Sequence, residues 1–231
     1  MMITVDIGSD KSDTLLREAH HRIANNLALL AGFVRLQSSQ VAKAKRTLTI
    51  AEACLMLDEV GVRIETVGRL HHLLGGRLNS GLIDLDEYLA STCGILAQSV
   101  CLNRPIELNC DAKPCTIEPE RAGLLGLIVT ELVTNAVKYA HPAGAAGRID
   151  VSCRSPRGGD LILTVLDDGV GLPEGFNPAV DGGLGMRVVR SLAEQMGAAL
   201  DFASSPLGLA VTVTAPSGEA GRSAPASTAV T

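Results

Sequence analysis

Three short segments in the second half of the chain carry side chains whose types and spacing suit a nucleotide and its metal. The first is Glu131, Asn135 and Lys138, within ELVTNAVKYA. Steps of four and three place a carboxylate, an amide and an ammonium on one face of a helix. An amide carbonyl is a hard oxygen ligand suited to Mg²⁺, and an ammonium neutralises phosphate charge. The second is Asp167-Asp168-Gly169-Val170-Gly171, at the end of an apolar run. An Asp there accepts a hydrogen bond from an exocyclic amine, and the glycines let a ligand approach the backbone. The third is Gly182-Gly183-Leu184-Gly185, directly before a helical pattern. Such a turn presents N–H groups and a positive helix end to an anion. Singly, each segment is a weak signal, because polar helix faces are ordinarily solvated and Gly-rich turns ordinarily reverse the chain. Their order and spacing together are specific. A G-x-x-x-x-G-K-[ST] segment is absent, which excludes a P-loop site.

The first third of the chain holds a different candidate, LLREAHHRIANNLALLAGFVRLQ, residues 15–37. Leu16, Ala19, Ile23, Leu27, Leu30 and Val34 recur in steps of three and four, the stripe of an amphipathic helix. His20 lies near that stripe, and His21 lies about 100° further round, in a water-facing position beside Arg17, Ala24, Asn25 and Ala28. An exposed imidazole is largely neutral near pH 7 and is a serviceable nucleophile. A lone surface His is normally inert, so the surrounding segment has to carry the inference. Glu18, one turn earlier, is spaced to accept from the ring Nδ1 and leave Nε2 free to attack phosphate. Asn25, one turn later, is spaced to orient a water for dephosphorylating a partner's aspartyl phosphate. His71 and His72 form a pair on a later helix and read as packing or capping residues, since no further ligand stands at metal-binding spacing.

These residues need elements to hold them. A helical hairpin is expected over residues 10–78, with its turn in the polar stretch 37–44. Its second helix is traced by Ile50, Cys54, Leu57, Gly61, Ile64, Val67, Leu70 and Leu74. One hairpin cannot bury both stripes, so a homodimeric four-helix bundle is expected, with packing onto the second domain as the competing solution. From residue 82 to 216 the pattern mixes helices (84–100, 119–139 and 186–196) with strands (106–110, 148–154, 161–166, 199–203 and 209–215). Few helices with mostly antiparallel strands predict a two-layer α/β sandwich, an α+β fold overall. Residues 217–231 are rich in Ala, Ser, Gly, Pro and Thr, without periodicity, and read as a disordered tail.

Composition removes several function classes. The chain has 231 residues, a net charge of -5, 46% hydrophobic and 2% aromatic residues, and no Trp. A mildly acidic, aromatic-poor protein is ill suited to nucleic acid. The longest apolar stretch, 124–133, is about half a membrane span and contains Glu131. The start, MMITVDIGSDKSD, has no signal-peptide pattern. The six cysteines lack C-x-x-C spacing and read as reduced, mostly buried thiols. A cytoplasmic protein is expected.

The three site segments resemble the N, G1 and G2 boxes of the GHKL ATP-binding fold shared by gyrase, Hsp90, MutL and histidine kinases. HHRIANNL is similar to the H-H-R-x-x-N-N-L phosphoacceptor segment of the HWE-related histidine kinases, and the likeness runs from about residue 12 to 216, including DDGVGLPEGFNP and GGLGMRVVRSLAEQMG. The resemblance implies that Asn135 holds Mg²⁺, that Asp167 recognises adenine, and that Gly169, Gly171, Gly183 and Gly185 shape the nucleotide loops. Glu131 and Lys138 match the N box, and the phosphoacceptor is His21. The implied function is ATP-dependent autophosphorylation of His21, followed by transfer to an Asp of a response regulator. The alternative is a histidine phosphotransfer adaptor of the same architecture that does not use ATP, in which the nucleotide boxes should have decayed. The HWE triplet itself is absent, and Phe176 is the sole aromatic of a short lid. No PAS, GAF or transmembrane pattern precedes the helices and no receiver follows, so either the signal is expected from a separate sensor protein or the chain is part of something larger.

Overall fold

The computed structural model describes residues 31–216 except 33, 36–37, 40, 43–46, 48, 77–81, 103, 142–143, 157–158 and 179. The chain divides into two compact units, Met1–Leu48 and Thr49–Thr231. In the first unit, Ser38, Ser39, Val41 and Ala42 are helical, so no turn lies at those positions; residues 37, 40, 43 and 44 of the turn expected over 37–44 lie outside the described residues. The helical run gives way before Thr47, and the next helix, α1 (Ile50–Gly76), starts from a reciprocal cap. Thr49 N donates to Glu52 Oε2 at 2.9 Å, and Glu52 N donates to Thr49 Oγ1 at 3.2 Å. This T-x-x-E box satisfies two otherwise orphaned donors and fixes the helix start without Gly or Pro.

The second unit continues as β1 (Ile83–Asp84), α2 (Leu85–Ser99), β2 (Ile106–Ala112), β3 (Thr116–Ile117), α3 (Pro119–Asn135), β4 (Gly147–Arg154), β5 (Leu161–Asp167), α4 (Leu184–Gln195), β6 (Ala199–Ser205) and β7 (Gly208–Ala215). The main sheet has the order β2-β4-β5-β7-β6, with β2 and β4 parallel and the other neighbours antiparallel. Alternation along the strands puts Ile149, Val151, Cys153, Leu163, Val165, Val211 and Val213 into the interior, against the helices. This is the expected two-layer sandwich. A small antiparallel pairing of β1 with β3, not foreseen from sequence, ties the start of α2 to the segment entering α3. α3 is buried along nearly its whole length, which its continuous Leu, Ile and Val content requires. Its last turn widens into a π-turn over Ala136–Ala140.

α1 packs against α2 and α3, and three residues of the apolar stripe that traced it in the sequence face outward. Val62, Arg63 and Thr66 are buried, whereas Ile50, Leu57 and Ile64 are 85%, 70% and 52% exposed. All six cysteines are free. Four form two thiol pairs: Cys93 donates to Cys110 and Cys153 to Cys115, which together with burial keeps Cys93 and Cys153 protonated. Among the described residues, no helix is long and apolar enough to cross a membrane.

Candidate nucleotide site

The end of α3 and the start of α4 meet. A Cβ at position 185 would stand 2.8 Å from Glu131 Oε2 and 3.3 and 3.4 Å from the Asn135 amide atoms. Only glycine leaves that corner open, which brings the N-box and the second glycine segment together although they are far apart in sequence. Glu131 is 2% exposed, and its Oε1 accepts from Arg63 Nε at 2.5 Å. Gly183, the residue before α4, has extended backbone, makes no side-chain cap, and has nothing within 4 Å of where a Cβ would be. The helix start therefore faces open space, with its first-turn N–H dipoles aimed outward.

The second wall is an elbow at the end of β5. Asp167 Oδ1 accepts from Gly169 N at 3.0 Å and from Leu209 N at 3.3 Å. Burial pushes the Asp167 carboxyl above its ordinary range, and the two N–H donors offset part of that rise. Asp168 behaves in the opposite way. Its Oδ1 takes Arg148 N at 2.7 Å and faces His141 Nε2 at 2.8 Å, and those donors hold it below the ordinary range. The His141 ring lies over Gly147, whose missing Cβ makes room for it, and its Nδ1 is buried without a hydrogen-bond partner among the described residues. The ring therefore serves best as the Nε2–H tautomer, donating to the carboxylate. Val170 N donates to Ala140 O at 3.0 Å, and a Cβ on Gly169 would collide with the Ala140 carbonyl. The elbow is thus fastened to the π-turn that carries Lys138. Gly171 has φ +68° and lies against Ser204 and Ser205, where Leu172 N donates to Ser204 Oγ at 2.8 Å.

The segment between the two glycine regions folds on itself. Asn177 N donates to Asp181 Oδ2 and Asp181 N to Asn177 O, each at 2.8 Å, and Arg190 of α4 donates to the Pro178 carbonyl. This anchors a short lid next to the open start of α4.

Of the residues singled out from sequence, Glu131, Asn135 and Gly185 share one corner, and Asp167 and Gly169 share one hydrogen bond. Lys138 is half-buried on the π-turn, Gly183 stands at the start of α4, and Gly171 turns toward the β6–β7 hairpin. Glu18, His21 and Asn25 lie outside the described residues. Arg63 and His141 were not anticipated. A charged side chain inside an otherwise helical apolar stretch pointed weakly to Arg63, and nothing in the local pattern singled out His141. The oxygen donors at Asn135 and the side-chain-free corner at Gly185 fit a hard divalent cation with its phosphates, and the buried Asp167 carboxylate fits an exocyclic amine.

Comparison with known proteins agrees with this geometry. Residues 121–219 match the family described as histidine kinase-, DNA gyrase B- and HSP90-like ATPase, and residues 18–100 match a histidine kinase family. The chain carries the two family segments of a histidine kinase. The sensor histidine kinase PdtaS of Mycobacterium tuberculosis is 32% identical over 182 residues, covering 78% of this chain and 34% of that protein. The blue-light-activated histidine kinase 2 of Erythrobacter litoralis is 29% identical over 225 residues, covering 93% of this chain and 62% of that protein. This histidine kinase chain thus spans about a third of the first relative's length and less than two thirds of the second's. The solved histidine kinase domain of the Erythrobacter litoralis blue-light kinase superposes with a TM-score of 0.68 at 29% identity, covering 90% of this chain and 96% of that one.

Proposed function

We propose that this chain is the core of a two-component signalling kinase that autophosphorylates His21 from ATP and then passes the phosphoryl group to an Asp of a response regulator. The observation that carries this reading is the convergence of Glu131, Asn135 and Gly185 at the start of α4, together with the buried Asp167 carboxylate at the end of β5. Adenine would donate its amine to Asp167, and the phosphates would lie along Gly183 to Gly185 toward Lys138. Asn135 would hold Mg²⁺, which supplies charge neutralisation between the phosphates. Phosphoryl transfer asks for positioning and electrostatics more than for reactive side chains, so this set suffices. His21 would be the acceptor, with Glu18 on its Nδ1, and Asn25 would orient water in the reverse, dephosphorylating direction.

The family match over residues 18–100 supports that assignment of the helical segment. The outward stripe of Ile50, Leu57 and Ile64 supports a homodimeric bundle through residues 10–78, with 82–216 as the ATP-binding domain and 217–231 as a tail. The glycines from 75 to 81 would act as the hinge. A cytoplasmic location completes the proposal. Incubating the purified chain with γ-labelled ATP tests it. The expected label is acid-labile and alkali-stable, is lost in His21→Gln, and moves to a receiver domain. Absence of label from a chain whose His21 still accepts phosphate from a phosphorylated receiver would overturn the kinase in favour of an ATP-independent adaptor.

A further inference from the structure

Arg63 belongs to α1, outside the ATP-binding domain, yet it reaches the N-box carboxylate. Its Nε donates to Glu131 Oε1 at 2.5 Å, with the two side chains 5% and 2% exposed. One turn away, Thr66 Oγ1 and Thr130 Oγ1 lie 3.3 Å apart, Thr66 bonded back to Val62 O and Thr130 to Gly126 O, each at 2.9 Å. The contact between the arm helix and α3 is therefore polar at its centre, while Ile50, Leu57 and Ile64 of the same helix face outward. A buried ion pair adds little net stability, but losing one partner strands a buried charge, so the pair fixes register rather than supplying cohesion.

The carboxylate fixed in this way also lines the nucleotide corner. Glu131 Oε1 is held by Arg63, and Oε2 faces the place where a Cβ at Gly185 would stand, next to the Asn135 amide. Without the guanidinium, Glu131 must either take a proton or turn toward another donor, and the Asn135 amide shares the corner at Gly185 with it. Both outcomes change the charge and the available oxygens where Asn135 meets a metal-bound phosphate.

We infer that Arg63 is a positioning residue of the nucleotide site, supplied by the arm helix, and that it couples docking of α1 on α3 to binding of metal-bound nucleotide. By linkage the coupling is reciprocal: nucleotide tightens the docked helix as much as docking tightens nucleotide. The inference rests on the reading of Asn135 and Gly185 as part of an ATP site.

The test uses the whole chain and a fluorescent ATP analogue, titrated with Mg²⁺ and again in excess EDTA, beside thermal unfolding. Arg63→Gln is expected to weaken the Mg²⁺-dependent affinity about tenfold, the loss of one charged hydrogen bond, and to leave the affinity in EDTA nearly unchanged. Arg63→Lys should retain most of the affinity. Arg63→Gln/Glu131→Gln should lose no more than Arg63→Gln alone, since the two residues act as one unit. Adding nucleotide to the wild-type chain should slow amide exchange over residues 58–66, should do so nearly as much in Arg63→Lys, and should do so much less in Arg63→Gln. A drop in Tm with the Mg²⁺-dependent affinity and the exchange response unchanged would mean the pair is merely structural and would overturn the inference. Should Arg63→Gln not fold, the Lys and double variants carry the same comparison. A wild-type chain that binds no nucleotide would instead sink the reading of the site on which the inference stands.

Discussion

The two ends of the main sheet are built differently. At one end β5 runs into Asp167, and β4 begins opposite it, Ile149 facing Asp167 across the ladder. There the chain is held by directed hydrogen bonds and by absent side chains: Gly169 against Ala140, Gly208 against the Asp167 carbonyl, Gly147 beneath His141. At the other end, where Cys153 faces Leu163 and Ala112, the packing is thiol on thiol beneath α2. Soft thiols tolerate small displacements. Backbone that touches backbone through glycine does not. The difference teaches where this protein stores its specificity: the nucleotide end is defined by what cannot be added, the thiol end by what merely fills space.

The sharpest way to break that contrast is Gly169→Ala. The new methyl would fall on the Ala140 backbone, which cannot rotate aside as a side chain can. Displacing the elbow should weaken ATP-analogue binding more than about 100-fold, roughly 3 kcal/mol at the upper end of overpacking costs. Titration of the folded variant checks this, and near-normal affinity would show that the elbow has slack. Asp167→Asn comes next. It keeps an oxygen for Gly169 N and Leu209 N but replaces the acceptor offered to adenine, so affinity should fall by about 2 kcal/mol, near 30-fold. Because burial penalises the Asp167 charge, Tm at pH 7 should stay level or rise while binding is lost. At the thiol end, Cys93→Ala should cost about 1 kcal/mol of stability in urea unfolding and leave nucleotide affinity within about twofold. An affinity loss there would join the two ends into one cooperative unit.

Much of this contrast was legible in the chain, but unevenly. The nucleotide end could be read because glycine and paired Asp are rare enough in apolar surroundings that their order is informative. Helix α3 was legible because it is buried all round, so its periodicity could not mislead. α1 shows the limit. Its apolar stripe predicted a helix correctly, but the face chosen for α3 was that of Val62, Arg63 and Thr66, because Glu131 and Thr130 offered partners on the other side. Periodicity ranks faces by hydrophobicity and is blind to a polar complement that lies 68 residues further along the chain. The start of α1 is a second case: the reciprocal Thr49–Glu52 cap sets it, through polar residues and without Gly or Pro. Both cases show polar residues ordering a helix rather than simply facing solvent.

The smallest expected effect separates two neighbouring carboxylates at the nucleotide end. Asp168 is held below the ordinary value near 3.9, so in acid the unfolded chain binds more protons than the folded one, and stability rises with pH. Its contribution is complete above that ordinary value and disappears as pH falls through the depressed one. Asp167 is raised by burial, so over its window the folded chain holds the extra proton. Its contribution favours the fold in acid and is lost as pH climbs from the ordinary carboxylate value through the raised one. The two slopes oppose each other and partly cancel in the intact protein. Thermal unfolding from about pH 3 to 7 should therefore be steeper on the alkaline-destabilising side in Asp168→Asn, and steeper on the acid-destabilising side in Asp167→Asn. Nucleotide affinity should follow only the Asp167 ionisation, falling as acid protonates that carboxylate, because Asp168 is engaged by the Arg148 backbone N–H and His141. If affinity in Asp168→Asn lost its pH dependence, the acceptor would have been assigned to the wrong carboxylate, and the elbow would face its ligand with the other residue.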